Sequence, residues 1–307
     1  MMAVMNDSCP LCYSEHNTVV YDRLRLPGAF IVKCVQCKHI YTRQNLPSSA
    51  EDLYSTDAYA VVENRHSLFD KILNWEYNRV VKNITGLKPL KGYLLDFGCG
   101  KGKFGNIAKN KGWKVKCVET AAARARYANT IYGLEVDTRF YSTGRIFNNE
   151  FDVLTLFHVL EHLPSPKTLL KELISHNLKK DALVVIEVPN IKSLQSGISG
   201  DKWIHLDVPR HLHHFTPVNL ERLALDLKLK TIKSSSFSIH LGVLGMIDSF
   251  LKFFGYRKNL IYELKNKKPM SLMISIALLF PFAFTLEAFA AAIGRGGVLR
   301  KYFITST

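Results

Sequence analysis

The sequence is poor in acid: 26 Asp and Glu stand against 41 Lys and Arg in 307 residues, a formal charge of +15. It is also sparing with the residues that break regular structure, with 18 glycines and 11 prolines. Since 47% of its residues are hydrophobic, disorder, collagen-like repeats and low-complexity filaments are excluded as descriptions of the whole. There is no internal repeat. The first ten residues, MMAVMNDSCP, have neither a basic n-region nor an apolar h-region, so no secretory signal and a cytoplasmic chain are expected. Six cysteines do not make a disulfide scaffold in so long a chain; they argue for metal and a reducing compartment. At roughly 100–200 residues per domain, the length suits one large domain and a small one.

The positive charge is unevenly spread. Between residues 250 and 301 nine Lys and Arg face only Glu263 and Glu287, and the same stretch holds the most apolar run of the chain. Basic charge beside apolar surface points to an anionic membrane face as a partner. Nucleic acid is not indicated, because no basic-aromatic RNA-binding signature accompanies the charge.

From residue 93 onward, strand-type and helix-type patterns alternate: strand 93–97, helix 103–111, strand 114–119, helix 121–132, strand 135–140, strand 152–157, helix 166–178, strand 182–188, helix 217–227 and strand 230–237. A helix over 66–87 precedes them and a strand over 298–306 follows. This pattern predicts an α/β fold with a parallel sheet covered on both faces. The runs LLDF, VLTLF and LVVIEV are continuously apolar, as strands buried on both sides must be.

Cys9-x2-Cys12 and Cys34-x2-Cys37 are separated by 21 residues. Each pair can put two thiolates on one tetrahedral ion, and two pairs close a structural S4 zinc site with no open position. A zinc ribbon is therefore expected over residues 1–45, followed by a linker over 46–65.

LLDFGCGKGKFG, residues 94–105, places Asp96 at a strand end and Gly98, Gly100 and Gly102 in the following turn. Such glycines let the backbone approach a ligand whose charged end meets the next helix N-terminus. Gly100-x-Gly102-x-x-Gly105 also matches the dinucleotide fingerprint, a weak signal alone. Asp96 opposes that match, since it would repel a pyrophosphate and hold an ammonium. Glu119, 17 residues after Gly102, is placed to accept ribose hydroxyls. At these residues the sequence resembles the class I methyltransferases dependent on S-adenosylmethionine (SAM). The resemblance implies a Rossmann-like seven-stranded sheet with an antiparallel last strand. It also implies SAM bound by Asp96, Gly98, Cys99, Gly100 and Gly102, by Glu119 and Thr120, and by Phe157 and His158 at the end of the fourth strand. Many relatives carry an acid after the third strand for adenine; here Asp137 falls early.

Two histidine constellations follow. His158-Val-Leu-Glu161-His162-Leu-Pro spells an inverted zinc-protease motif, but a strand precedes it and Pro164 and Pro166 follow, so no continuous helix can form. It is similar to the E-x-x-E-H of quinone-type and small-RNA O-methyltransferases, where three residues bind a divalent metal. A hard ion would lose a carboxylate to an imidazole at His158. Asp207-Val-Pro-Arg-His211-Leu-His213-His214-Phe-Thr lies after the fifth strand, where loops line the ligand crevice. His158, Glu161, His162, His211 and His214 are the candidate catalytic residues. The D-x-P-R-H-L-x-H-F-T string resembles methyltransferases of cell-surface polysaccharide assembly, and the cysteine ribbon is similar to that of sugar C-methyltransferases.

Residues 243–254 place an apolar face opposite Asp248 and Lys252, and 270–286 contain no charge. About 20 apolar residues are needed for a span, and Pro281 and Glu287 interrupt this one. The expectation is an apolar helical hairpin over 239–297, inserted between a SAM-binding domain over 66–238 and its last strand at 298–307, dipping into one leaflet at the inner face of the plasma membrane; a crossing pair of helices and a plain buried core are the alternatives. The resulting expectation is a methyltransferase acting on a sugar or lipid-linked glycan. Its rivals are a quinone-type or other small-molecule O-methyltransferase, and a non-catalytic SAM-binding membrane adaptor. An NAD-dependent sugar enzyme is opposed by Asp96 and by the lack of a Tyr-x-x-x-Lys pair.

Overall fold

The computed structural model describes residues 8–24, 26–44 and 68–305; the expected linker lies outside them. Three short strands come first, β1 (Asn17–Tyr21), β2 (Ala29–Cys34) and β3 (Ile40–Gln44), and then helix α1 (Leu68–Leu87). Strands and helices alternate next: β4 (Tyr93–Phe97), α2 (Lys103–Asn110), β5 (Lys114–Val118), α3 (Ala122–Tyr132), β6 (Glu135–Asp137), β7 (Phe151–Phe157), α4 (Pro166–Asn177) and β8 (Leu178–Pro189). Helix α5 (Leu194–Ser199) and the two-residue β9 (His213–His214) lead to α6 (Pro217–Asp226) and β10 (Leu229–Ser235). Three helices, α7 (Leu244–Phe253), α8 (Leu260–Asn266) and α9 (Met270–Ala292), precede β11 (Val298–Thr305).

Seven strands form one sheet in the order β10-β11-β8-β7-β4-β5-β6. The strands from β4 to β8 pair in parallel, while β11 runs antiparallel to both β8 and β10. This is the expected Rossmann-like sheet with its reversed last strand. Period-two alternation sorts its side chains onto two faces. Leu95, Leu154, Leu156, Ile186 and Phe303 pack with Leu170, Leu173, Leu220 and Leu223 of α4 and α6. Leu94, Val153, Val185 and Tyr302 meet Val80, Ile84, Phe104 and Ile107 of α1 and α2 on the other side. The third strand is shorter than expected, ending at Asp137, because that carboxylate turns to chelate the Arg139 guanidinium two residues on.

Strands β1, β2 and β3 form an antiparallel sheet that β9 extends. Cys9, Cys12, Cys34 and Cys37 converge beside it, with Sγ–Sγ separations of 3.5 Å for Cys9–Cys37 and for Cys12–Cys34. The small sheet is joined to the large body through β3, which pairs Ile40 with His214 and Tyr41 with His213.

The insertion departs from a simple hairpin. A π-helical turn over Ile239–Val243 leads into α7, which is buried on most sides. Asp248, expected on the solvated face, is fully buried; Lys252 donates to it at 2.5 Å and to the Lys202 carbonyl at 2.6 Å. The reason is α5, which covers that face and bonds Ser199 to Ser249 at 2.7 Å. Helix α9 keeps its apolar surface. Only Leu272, Ala283, Glu287 and Ala290 are buried on it, and Glu287 accepts the Gly297 amide at 2.7 Å. The expected basic fringe shrinks, since Lys252, Arg300 and Lys301 are spent on Asp248, Glu187 and Glu221 inside the fold.

Because β11 is inserted between β8 and β10, a truncation in it should behave as a core lesion. Phe303→Ala is expected to lower unfolding free energy by about 3–5 kcal/mol, seen as a reduced urea midpoint at unchanged slope. A loss below about 1 kcal/mol would mean that the strand is peripheral.

Candidate active site

The loop between β4 and α2 is shaped by contacts that no side chain could share. Gly98 has φ 76° and faces Val159, and a Cβ on Gly102 would sit 2.7 Å from Ala128 Cβ and from Leu134 Cδ1. Gly100, also at positive φ, faces open space. At the strand ends below it lie the two acids. Asp96 is 2% exposed and accepts the Thr155 hydroxyl at 2.8 Å on Oδ1. Its Oδ2 has no hydrogen-bond partner among the described residues. Burial pushes its pKa up to about 7 although the Thr155 bond pulls the other way. A buried carboxylate in this state is matched by a cation. Glu119 accepts the amides of Gly100 and Ala121, each at 2.8 Å, one on each oxygen. Tyr77, Phe104 and Phe157 pack on one another, with Phe104 and Phe157 centroids 4.7 Å apart. A cavity of about 140 Å³ next to β5 is lined by Val118, Asp137 and residues 139–143, 145 and 146. It takes up the Asp137 region that the sequence left without a partner for adenine. Cys99 lies in the turn and Thr120 is exposed at its rim.

Strand β7 ends in a charged knot. His158, at φ 56°, donates Nδ1–H to Glu161 at 3.2 Å and Nε2–H to Glu187 at 3.0 Å. Burial alone would depress its pKa, but the two carboxylates carry it up to about 10. Glu161 is held at about 2: burial opposes ionisation and the His158 bond outweighs it. Glu187 is also held by Arg300, and the adjacent His240 is bonded to Glu76 of α1.

A second group stands on the far side of Glu161. His162 donates Nδ1–H to the Arg210 carbonyl at 3.0 Å, and His211 donates Nδ1–H to the His205 carbonyl at 2.8 Å. The rings meet edge to face, 4.6 Å between centroids. Burial, with His211 alongside, lowers His162 to about 4, so the ring is neutral near pH 7.

The loop that carries His211 is held by the cysteine-bearing sheet. Thr42 donates its hydroxyl to the His211 carbonyl at 2.6 Å and its amide to the Leu212 carbonyl at 2.9 Å. His39 bonds His213 at 2.9 Å, and Asn219 reaches the Cys37 carbonyl at 3.0 Å. The Leu212 amide in turn donates to the Glu161 carbonyl at 2.7 Å. The structure thus brings His158, Glu161, His162 and His211 together. His214 is turned away: its Nε2 meets Thr42 at 3.0 Å, and burial holds the ring neutral. Sequence reasoning missed Glu187, Arg300, Glu76, His240 and Tyr77. The lone acid in the apolar run LVVIEV was a signal for Glu187; the others carried none.

Comparisons with known proteins agree with this architecture. A family model described as Methyltransferase domain matches residues 59–233, more than half of the chain. Ubiquinone biosynthesis O-methyltransferase of Glaesserella parasuis serovar 5 is 28% identical over 134 residues, 40% of this chain and 56% of that protein. The chain thus spans about half the length of this curated relative. Two structures of plantazolicin methyltransferase BpumL with SAH, one with a pentazolic and one with a triazolic desmethylPZN analog, superpose with TM-scores of 0.51. Their identities are 15% and 14%, over 84% of this chain and 94% of theirs; the likeness is one of fold.

Asp96 should cost the ligand-free protein stability in one pH window. Its carboxyl titrates near 3.8 in an unfolded chain and about 7 in the fold, so between those values the folded state keeps a proton the unfolded state has lost. Stability therefore falls as pH rises through that window and levels off above it. Asp96→Asn should raise stability at pH 8, on the order of 2–4 kcal/mol, and leave it unchanged at pH 3. Urea denaturation at the two pH values measures this; an equal effect at both would remove burial as the cause.

Proposed function

The chain belongs to the methyltransferase domain family, and from that premise we propose that it binds SAM in the glycine turn and methylates a sugar or lipid-linked glycan beside an anionic membrane. The observation that carries the SAM reading is the orphaned, buried Asp96 oxygen below a glycine turn whose next strand ends in Glu119. Asp96 holds the ammonium group, which returns its carboxyl to the ionised state. Glu119 takes the ribose hydroxyls with the lone pairs its two amide partners leave. The N-terminus of α2 faces the carboxylate end. Phe104, Phe157 and Tyr77 keep water from the methyl group. Bound there, SAM supplies a sulfonium methyl whose C–S bonding pair stays on sulfur as the acceptor takes the carbon. His158 is already protonated between two carboxylates, so it positions Glu161 rather than removing a proton. The acceptor group meets the Nε2 edges of His162 and His211, where its proton is drawn off. The paired CxxC thiols support a structural zinc ion, whose loss would free the loop bearing His211.

The expected titration is one equivalent of SAM bound by the parent and at least tenfold weaker binding by Asp96→Ala. Equal binding by both, or none by the parent, would remove the SAM assignment. Mass spectrometry of envelope glycans from cells with and without the gene should then show a difference of about 14 Da, a methyl group in place of one hydrogen on the acceptor. A quinone acceptor would leave the glycans unchanged and shift the lipid extract instead.

The membrane reading is supported by α9, the one helix among the described residues long and apolar enough to cross a bilayer. Its buried Glu287 and the return of β11 to the sheet fit a helix lying along the surface. Met270, Ile274, Leu278, Phe282, Phe289 and Ile293 form an exposed stripe, with Leu278 67% and Phe282 70% accessible. Arg257, Lys258, Lys267, Lys268 and Arg295 are exposed around it, each worth ~1 kcal/mol near anionic headgroups. The protein should pellet with phosphatidylserine vesicles and be only partly released by high salt, because apolar contact is not screened. The pair Leu278→Asp and Phe282→Asp should abolish pelleting and leave SAM binding intact. A parent that stays monomeric and ignores the vesicles would remove the membrane from the reading.

A further inference from the structure

The insertion that carries α9 is rooted beside the charged knot. Its first turn, Ile239–Val243, is pinned to α1 by Glu76. One oxygen of that carboxylate accepts the Ile239 amide at 2.6 Å. The other accepts the His240 ring at Nδ1, with the Ser238 hydroxyl and the His240 amide each at 3.4 Å. With Nδ1–H given to Glu76, the ring is fixed in direction and Nε2 is left for another partner. A nitrogen of this ring lies within 4.8 Å of ligand atoms of both His158 and Glu187. His158 spends its two nitrogens on Glu161 and Glu187, so His240 and the pair of His162 and His211 stand off opposite edges of that ring.

The surroundings of His240 are aromatic. It meets Phe69 and Tyr77 edge to face, each at 6.3 Å between centroids, and Tyr77 stacks on Phe157 at 6.1 Å. Phe69 is exposed and Tyr77 partly so. Neither Tyr77 Oη nor His240 Nε2 has a hydrogen-bond partner among the described residues, and neither is sealed from solvent. Apolar walls with a few fixed polar atoms are the ordinary make-up of a small-molecule site. The field there is negative. Burial, then Glu187, Asp96 and Glu76, push the pKa of the Tyr77 hydroxyl up, with Arg300 opposing. Arg300 and His158 are themselves already held by Glu187.

We infer that Tyr77 Oη and His240 Nε2 anchor two hydroxyls of an uncharged sugar ring laid against the Tyr77 and Phe69 rings. This subsite rests on the glycan-methyltransferase reading and narrows its acceptor. A ring poor in hydroxyls would leave both polar atoms unmatched, the kind of loss that lets a hydrogen-bonding site reject an analogue strongly. A ring bearing a carboxylate or phosphate would be set against Glu76 and Glu187, a like-charge contact that selects against it. The reacting hydroxyl stays with His162 and His211, and the two anchors fix the rest of the ring. The apolar insertion therefore supplies one of the acceptor contacts itself, through His240.

The probe is radiolabelled SAM, with graded amounts of glycan extract from the envelope of cells lacking the gene as acceptor. Tyr77→Phe keeps the ring and removes only the hydroxyl. It should raise the half-saturating amount of extract roughly fivefold or more, at unchanged maximal rate, SAM affinity and melting temperature. His240→Ala should do the same, and His240→Gln, whose amide can reach the same hydroxyl, should recover most of the loss. Tyr77→Phe decides alone if His240→Ala does not fold. After hydrolysis the label should sit on a monosaccharide that an anion exchanger does not retain. A parent that labels glycan while Tyr77→Phe saturates as the parent does, or loses SAM affinity instead, overturns the subsite and leaves the methyltransferase reading standing. Label on a retained, acidic sugar overturns the uncharged ring. A parent that binds SAM and labels no glycan removes the glycan reading and the subsite together.

Discussion

His158 held between Glu161 and Glu187 is the interaction on which the rest of the centre depends. A histidine at positive φ at the end of a buried strand is strained, and it is kept there by two buried carboxylates that bind it from both sides. Glu187 belongs to β8 and is held in turn by Arg300 of β11, so the knot ties three neighbouring strands at the end of the sheet that carries the glycine turn. It also sets the direction of Glu161. With one oxygen given to His158, the other is left for the histidine group beyond. Removing any single member would leave a buried charge without its partner, a costly state, so the set stands or falls together.

Around this knot the fold assembles the site from parts far apart in the chain. The cysteine-bearing strands hold the loop after β8 by main-chain and side-chain bonds through Thr42, and that loop closes on Glu161 through the Leu212 amide. From the other side, α1 reaches His240 through Glu76, and Lys103 at the start of α2 meets Asp70 of α1. The glycine-turn side and the histidine side are therefore braced by different elements, with β7 as their common edge.

Most of the sheet was legible because burial on both faces forces continuous apolar runs, and glycine turns mark where they end. The cysteine pairs were legible for a similar reason: their chemistry needs that residue type at that spacing. What could not be read was long-range closure. His39 and His213 are 174 positions apart, and a two-residue strand such as β9 has no periodicity. His214 looked as available as His211, and only the pairing with β3 separates them. Asp248 and Lys252 have the i,i+4 spacing of a solvated pair, yet α5 covers them. Polarity alone does not say which face a neighbouring element will claim.

The position of β11 has a consequence for how the molecule comes into being on the ribosome. β10 is synthesised well before the strand that will lie between it and β8. Their only link in the sheet is β11, whose register sets Leu183 opposite Ile304. Until that strand emerges, the sheet has an open edge at β8, and α7, α8 and α9 leave the exit tunnel beside an unfinished core. The apolar stripe of α9 is thus exposed to its surroundings before the sheet that anchors it has closed. Order of synthesis sets a nascent-chain stage in which that stripe is complete before the fold is.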